Sequence, residues 1–305
     1  MSIAEAEARE AVTVAFDEDT AGLWREAWRR LRRNPTAIFG MTMIVLFVLV
    51  AVFAPVLAPF SPTKVDLTNI RPGSFPGPSA EHWFGLDQLG RDELSRIIYG
   101  ARYSLIIGVV SLSIGAAVGM LIGAIAGASP RRWVDSVLMR LMDMMLAVPG
   151  LLFAIAIAAT LGRSLTSVMI AIGVVNVPIF ARLLRGSMLT QREQDYVLAA
   201  RAVGVKPRKI VMSHMLPNAI APVIVQGTLS MATAIIDAAG LAFLGLGSAD
   251  PGVPEWGRML AETQSFLQHA PHLALFPGAA IVLSVLGFNL VGDALREALD
   301  PKLRR

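Results

Sequence analysis

Six stretches of this chain, 37–59, 103–128, 144–162, 165–181, 219–240 and 273–291, are free of charged residues apart from a single acid, Asp237 in the fifth. No other feature limits the possible folds as strongly. A helix needs about 20 apolar residues to cross a ~30 Å hydrocarbon core. In lipid, only helices and closed barrels satisfy every backbone N–H and C=O. Runs of this length without alternation predict helices, so an all-α membrane protein with six transmembrane helices is expected. The fourth run is the shortest and contains Pro178, but Arg182 and Arg185 close it with cations suited to an interface. Composition agrees: 16% of residues are charged, against about a quarter in soluble domains.

Orientation follows from lysine and arginine. With the N-terminus inside, nineteen basic residues from Arg25 onward fall in inner segments and seven in outer ones (Lys64, Arg71, Arg91, Arg96, Arg102, Arg163, Arg258). Both termini and the long 182–217 loop are therefore expected in the cytoplasm. The polar stretch before the first apolar run is too long, and the run itself too extended, for a secretory signal peptide. The basic residues lie beside apolar runs without aromatic interleaving, so nucleic acid is not an expected partner. There is no cysteine, which excludes disulfides and thiolate metal sites.

The expected organisation is a flexible cytoplasmic tail over 1–22, then an amphipathic segment with the first span over 23–60. An extracytoplasmic loop covers 61–102, a membrane core 103–292, and a cytoplasmic tail 293–305. Within the outer loop, "FSPTKVDLTNIRPGSFPGPSAEHWFG" is rich in Pro and Gly and reads as an extended excursion. "DQLGRDELSRIIYGARYSL" reads as a helix at the outer interface before the second span, with Leu94, Ile97, Ile98 and Ala101 on one face and charges on the other. Gly108, Gly115, Gly119 and Gly123 form a small-residue stripe suited to close helix packing.

Several chemistries have no residues to carry them. The four lysines follow Thr, Val, Arg and Pro, so no GxxxxGK[ST] phosphate loop exists. No HExxH or Cys/His zinc set occurs, and His269 with His272 lacks a neighbouring carboxylate. No metal site and no catalytic residue is expected. Energy for any active transport must come from another chain or an ion gradient.

The cytoplasmic loop 182–217 holds seven Lys or Arg, far longer than a turn requires. Its centre, "YVLAARAVGVKPRKIVMSHMLPN", favours helix to Val203, with Gly204 as the stop. Tyr196, Ala199, Ala200 and Val203 are spaced as one narrow apolar stripe. Pro207 and Pro217 suit the first turns of later helices. The pattern fits a helix lying on anionic lipid or one seated in another protein's groove.

Particular residues favour the groove. Leu198-Ala199-Ala200, Gly204, His214 and Leu216-Pro217 keep the spacing of the EAA loop of binding-protein-dependent ABC importer permeases. Leu198 stands where that pattern has Glu, and His214 where it has Ile. "FGLDQLGRDELSRIIYGARYSL", "LAFLGLG", "WGRMLAE" and "LFPGAAIVLSVLGFNLVGDALREALDPKLR" resemble, in order, segments of the C-type permeases of the oligopeptide/dipeptide branch. The similarity runs from about Arg25 to Arg305.

The resemblance implies a type I ABC importer permease fold in a prokaryotic inner or plasma membrane. It also implies four other components: a homologous second permease, two ABC ATPase domains that bind ATP and magnesium, and an extracytoplasmic solute-binding protein. Tyr196, Leu198, Ala199, Ala200, Val203, Gly204, Leu216 and Pro217 would then couple the chain to the ATPases. Leu198 makes that contact more apolar than a Glu would. Asp237, the one acid inside a span, is a candidate for the translocation pathway. Di- or oligopeptides are the expected cargo, with nickel-chelate or glutathione import as alternatives. A secondary transporter would need coupling acids in repeated positions, and a membrane enzyme a converging titratable set; neither is evident.

Overall fold

The computed structural model describes residues 25–66 and 75–299. The expected 1–22 tail, part of the outer excursion and the end of the C-terminal tail lie outside these residues. The described chain is helical, with only two isolated bridges, Val65 to Arg91 and Leu86 to Asp92.

The long helices are α1 (Pro35–Val52), α2 (Glu93–Ala128), α3 (Arg132–Leu146), α4 (Gly150–Leu161), α5 (Leu165–Arg192), α6 (Asp195–Ala202), α7 (Ala221–Phe243), α8 (Trp256–Thr263) and α9 (His272–Leu299). Among them α1, α2, α5, α7 and α9 are long and apolar enough to cross a membrane. A sixth crossing requires α3 and α4 together, and these meet at an 89° bend. The expected straight span over 144–162 is therefore a broken one. Pro149 has no N–H to continue the ladder from α3 and instead caps α4. At 12 residues, α4 rises only ~18 Å, too little to cross alone.

Glycine decides the tightest contact, between α2 and α5. A Cβ on Gly119 would lie 2.5 Å from the Val177 carbonyl oxygen, and one on Gly123 would lie 2.5 Å from that of Ala181. Gly173 returns the fit, since a Cβ there would meet Ile114 at 2.8 Å. Between helices in lipid, association depends on packing of this kind, because lipid tails are as apolar as leucine. Peripheral α1 is held mainly by α9, where Gly40 faces Leu290. It leaves Phe39, Leu46, Leu49 and Val52 exposed, as a lipid-facing helix would.

The expected interfacial helix before the second span does not stand alone. It forms the first turns of α2, a single helix of 36 residues capped by Asp92. The orientation of its faces also differs from expectation. Glu93 and Arg96 are buried, while Leu94, Ile97 and Ile98 are half-buried. Other outer segments supply the reason. Arg96 lies 3.3 Å from Asp87 Oδ2 and 3.4 Å from Glu262 Oε2, and Arg91 donates to Asp87 at 2.6 Å. Trp256 of α8 donates its indole N–H to the Ile97 carbonyl at 3.0 Å, over Gly100, where any side chain would clash with the ring. An outer polar knot thus clamps the start of α2 to α8.

Beside the knot, Glu255 caps α8 and is 2% exposed. Burial pushes its carboxyl up to about 7, opposed by the Ser248 N–H and by Arg258. The folded chain therefore holds this proton more tightly than the unfolded one. Its contribution against folding is absent below about 4.5, grows as pH rises and levels off above about 7. The full effect is on the order of 3 kcal/mol. Glu255→Gln should accordingly flatten the fall in unfolding temperature between pH 5 and 8 in detergent. An unchanged profile would show that Glu255 does not titrate in this range.

Candidate coupling site and membrane acid

Helix α5 does not stop at the expected membrane boundary near Ala181 but runs to Arg192. Three of the seven loop cations, Arg182, Arg185 and Arg192, therefore sit on a continuous helix. Arg185 makes a two-pronged bond to Asp135 of α3 at 2.5 and 2.6 Å, and Arg182 pairs with Asp143. These pairs hold the amphipathic half of the broken span against α5.

After a break at Glu193 and Gln194, α6 carries the motif. Its end is a Schellman turn: Gly204, at φ +75°, donates to Arg201 O at 3.0 Å, and Val205 donates to Ala200 O at 3.0 Å. Gly204 supplies the left-handed conformation that a side chain would strain. The chain then re-enters helix at Pro207 and passes through a π-helical stretch, Ile210–Met215. Pro217, two residues later, cannot donate to the carbonyl one turn back, which accords with the widened ladder.

A polar network locks this return. The Tyr196 hydroxyl donates to Gln191 Oε1 at 2.5 Å, and the Asn218 amide donates to the His214 carbonyl at 2.8 Å and to Tyr196 at 3.4 Å. His214 itself is buried. Burial, and then Lys209, hold its imidazole below the ordinary value.

The motif residues divide between two faces. Ala200 is 6% exposed and packs with Val197, Leu184, Met188 and Ile210 in the chain's own core. Tyr196 and Leu216 are half-buried against the same cluster. Leu198, Ala199, Ala202, Val203, Gly204 and Pro217 are exposed, and Met212 of the return helix joins them. The stripe expected to face outward is therefore split. Ala200 anchors the helix, and its apolar outer surface is Leu198, Ala199, Ala202 and Val203. The sequence reading missed Met212, which lies beyond the turn, and Asn218. Arg201, Lys206, Arg208 and Lys209 are exposed around this surface.

Asp237 lies about two turns before the end of α7, half-buried, with exposed Thr233 and Ile236 beside it. Among the described residues it has no hydrogen-bond or ion-pair partner. One turn on, Gly240 approaches Leu151 of α4, the outer half of the broken span. Beyond α7, Gly245, Gly247 and Ser248 line an outer cleft of about 240 Å³ with Arg163 and Arg258.

Comparison with known proteins adds the following. A family model described as the binding-protein-dependent transport system inner membrane component matches residues 119–305, and one for the N-terminal TM domain of oligopeptide transport permease C matches 22–76. A dipeptide transport system permease protein from Alkalihalophilus pseudofirmus is 49% identical over 281 residues, covering 92% of this chain and 90% of the relative. A glutathione transport system permease protein from Escherichia coli O157:H7 is 44% identical, covering 92% and 91%. Among solved structures, an inward-facing methionine ABC transporter superposes with a TM-score of 0.56 at 17% identity, covering 67% of this chain and 96% of that one. An amino acid ABC transporter gives 0.52 at 17% identity, covering 66% and 92%. Likeness at that identity shows the fold alone.

Proposed function

Since this chain belongs to the family of binding-protein-dependent transport system inner membrane components, we propose that it is the permease subunit through which di- or oligopeptides enter the cell. Transport would be driven by ATPases bound to α6. The observation that carries the coupling role is the exposed apolar face of α6, set by its Schellman turn on the side assigned to the cytoplasm by charge. The chain has no phosphate-binding loop, so ATP and magnesium are held by the partner subunits and this chain hydrolyses nothing. A homologous permease completes the pathway, and an extracytoplasmic binding protein delivers the cargo.

Nucleotide binding pulls α6, and the Tyr196 network with the buried Val197 and Ala200 carries the motion to α5 and the start of α7. Moving an inward/outward equilibrium from 1:99 to 99:1 takes about 5.5 kcal/mol of differential binding. ATP binding at two partner domains can supply that much.

Asp237 is read as a pathway group that meets a cationic end of the cargo, such as a peptide amino terminus. Its half-exposed place in a span and the lack of a described partner support this role, because a membrane acid is costly and by default faces a cavity. Asp237→Asn should lower uptake by tenfold or more while the complex still assembles; unchanged uptake removes Asp237 from the pathway.

The peptide reading is tested in proteoliposomes holding this chain, its partner permease, the ATPases and the binding protein. ATP-dependent accumulation of a labelled dipeptide is expected. The glutathione permease relative favours a second reading, in which glutathione accumulates and the dipeptide does not. Accumulation of neither sinks both.

A further inference from the structure

We propose that Asp66, Glu81 and His82 form a zinc-type metal site on the outer face of the protein. Ligand atoms of the three residues all lie within 4.8 Å of one another. Because Asp66 and His82 are sixteen residues apart, no short motif announces the site. The proposal is independent of the transport reading.

The geometry around His82 points to an ion. Its ring is 6% exposed, and Nδ1 lies 2.8 Å from Oδ1 of Asp92, itself buried. The other Asp92 oxygen accepts the Ser95 N–H at 2.7 Å, which caps α2. Asp92 thus acts as a fixed acceptor for an N–H at Nδ1, which turns Nε2 away from it. A carboxylate orienting a histidine through its second nitrogen is the usual arrangement behind metal-binding imidazoles.

Nε2 looks towards Oδ2 of Asp66 at 3.4 Å. A lone pair facing a carboxylate oxygen is repulsive unless a proton or a cation lies between them. At 3.4 Å the contact is longer than the ~2.7–2.9 Å usual for a charge-assisted bond and longer than the one on the Asp92 side. A tetrahedral metal with bonds of about 2.0–2.1 Å sets its ligand atoms about 3.4 Å apart. The distance fits the metal.

One imidazole and two carboxylates, with water completing the set, suit a borderline ion such as zinc. Phe60 lies tilted beside the imidazole at 4.9 Å and shields it. Since the Asp66 N–H also bonds to the Gly90 carbonyl at 2.8 Å, the ion would staple the start of the outer excursion to the segment that leads into α2.

The test uses the intact permease complex in detergent, stripped with chelator and then offered zinc or cobalt(II). Zinc content by mass spectrometry should rise by about one ion per complex in the wild type relative to His82→Ala. Cobalt should give visible absorption of low-coordinate type. His82 is buried, so the exposed Glu81→Gln and the Asp66→Asn variants guard against misfolding. Each should weaken zinc binding by tenfold or more and lose any zinc-dependent rise in unfolding temperature. Equal zinc binding in the wild type and both carboxylate variants, or no zinc retained by the wild type, would overturn the site. So would a His82 ring found doubly protonated at pH 7 and unaffected by zinc, which would make it an imidazolium bridge between two acids.

Discussion

Val203→Glu is expected to leave the chain folded and inserted, yet reduce copurification with the ATPase subunits, and uptake with it, by tenfold or more. Val203 is 63% exposed at the end of α6 and lies outside the buried cluster that anchors that helix. A carboxylate there would have to be buried, unpaired, against whatever covers Leu198 and Val203, and unpaired charges are expensive to desolvate. The choice of position matters. Ala200 belongs to the same motif, but Glu at that site would enter the chain's own core beside Leu184 and Met188. Loss of ATPase binding there could not be told apart from misfolding. Gly204→Arg is also compromised, because the left-handed backbone at +75° strains any residue with a Cβ. Val203→Glu separates docking from folding, with normal membrane levels as its control. ATPase retention at wild-type levels would remove α6 from the coupling surface.

Gly119→Leu should have the other large effect, a loss of most of the folded chain from the membrane. A Cβ at this position would lie 2.5 Å from a backbone oxygen of α5 and 2.7 Å from the Phe180 Cβ. Neither atom can swing aside as a side-chain tip could, so the helices must separate along their closest contact. Because helix pairs in lipid are held by packing, that separation removes much of what joins α2 to α5. Gly186→Ala is the matched control. It lies on the same α5, where an added Cβ meets nothing within 4 Å, and alanine is the better helix former by about 1 kcal/mol. Membrane levels should fall at least tenfold for the first variant and hold or rise for the second. Normal levels of Gly119→Leu would mean that the α2–α5 contact is not as close as described.

Much of this architecture was legible in the sequence because the bilayer is a harsh solvent. Long uncharged runs mark the segments that meet lipid, and the asymmetry in Lys and Arg sets the orientation. The family followed from motif order across the chain, including the spacing around Gly204, whose Schellman role needs nothing but local geometry. The buried charges at the start of α2 were not legible. A helical wheel of residues 93–101 puts Leu94 and Ile97 inside, because nothing local reveals that Asp87 and Glu262 will surround Arg96. The bend of the third span was hidden for a related reason: Pro149 permits a break without setting its angle.

By itself, then, the sequence determined the all-helical membrane class, the orientation, the family and the helix that carries the EAA-like spacing. Each depends on interactions with solvent or on local spacing, which a linear string records. Only the tertiary structure decided which side of α6 is free, that Arg182 and Arg185 pair with Asp135 and Asp143, and that Asp66 meets His82. Those outcomes depend on which distant surfaces arrive together. The same alanine is a dock or an anchor according to whether Leu184 and Met188 already occupy the space beside it.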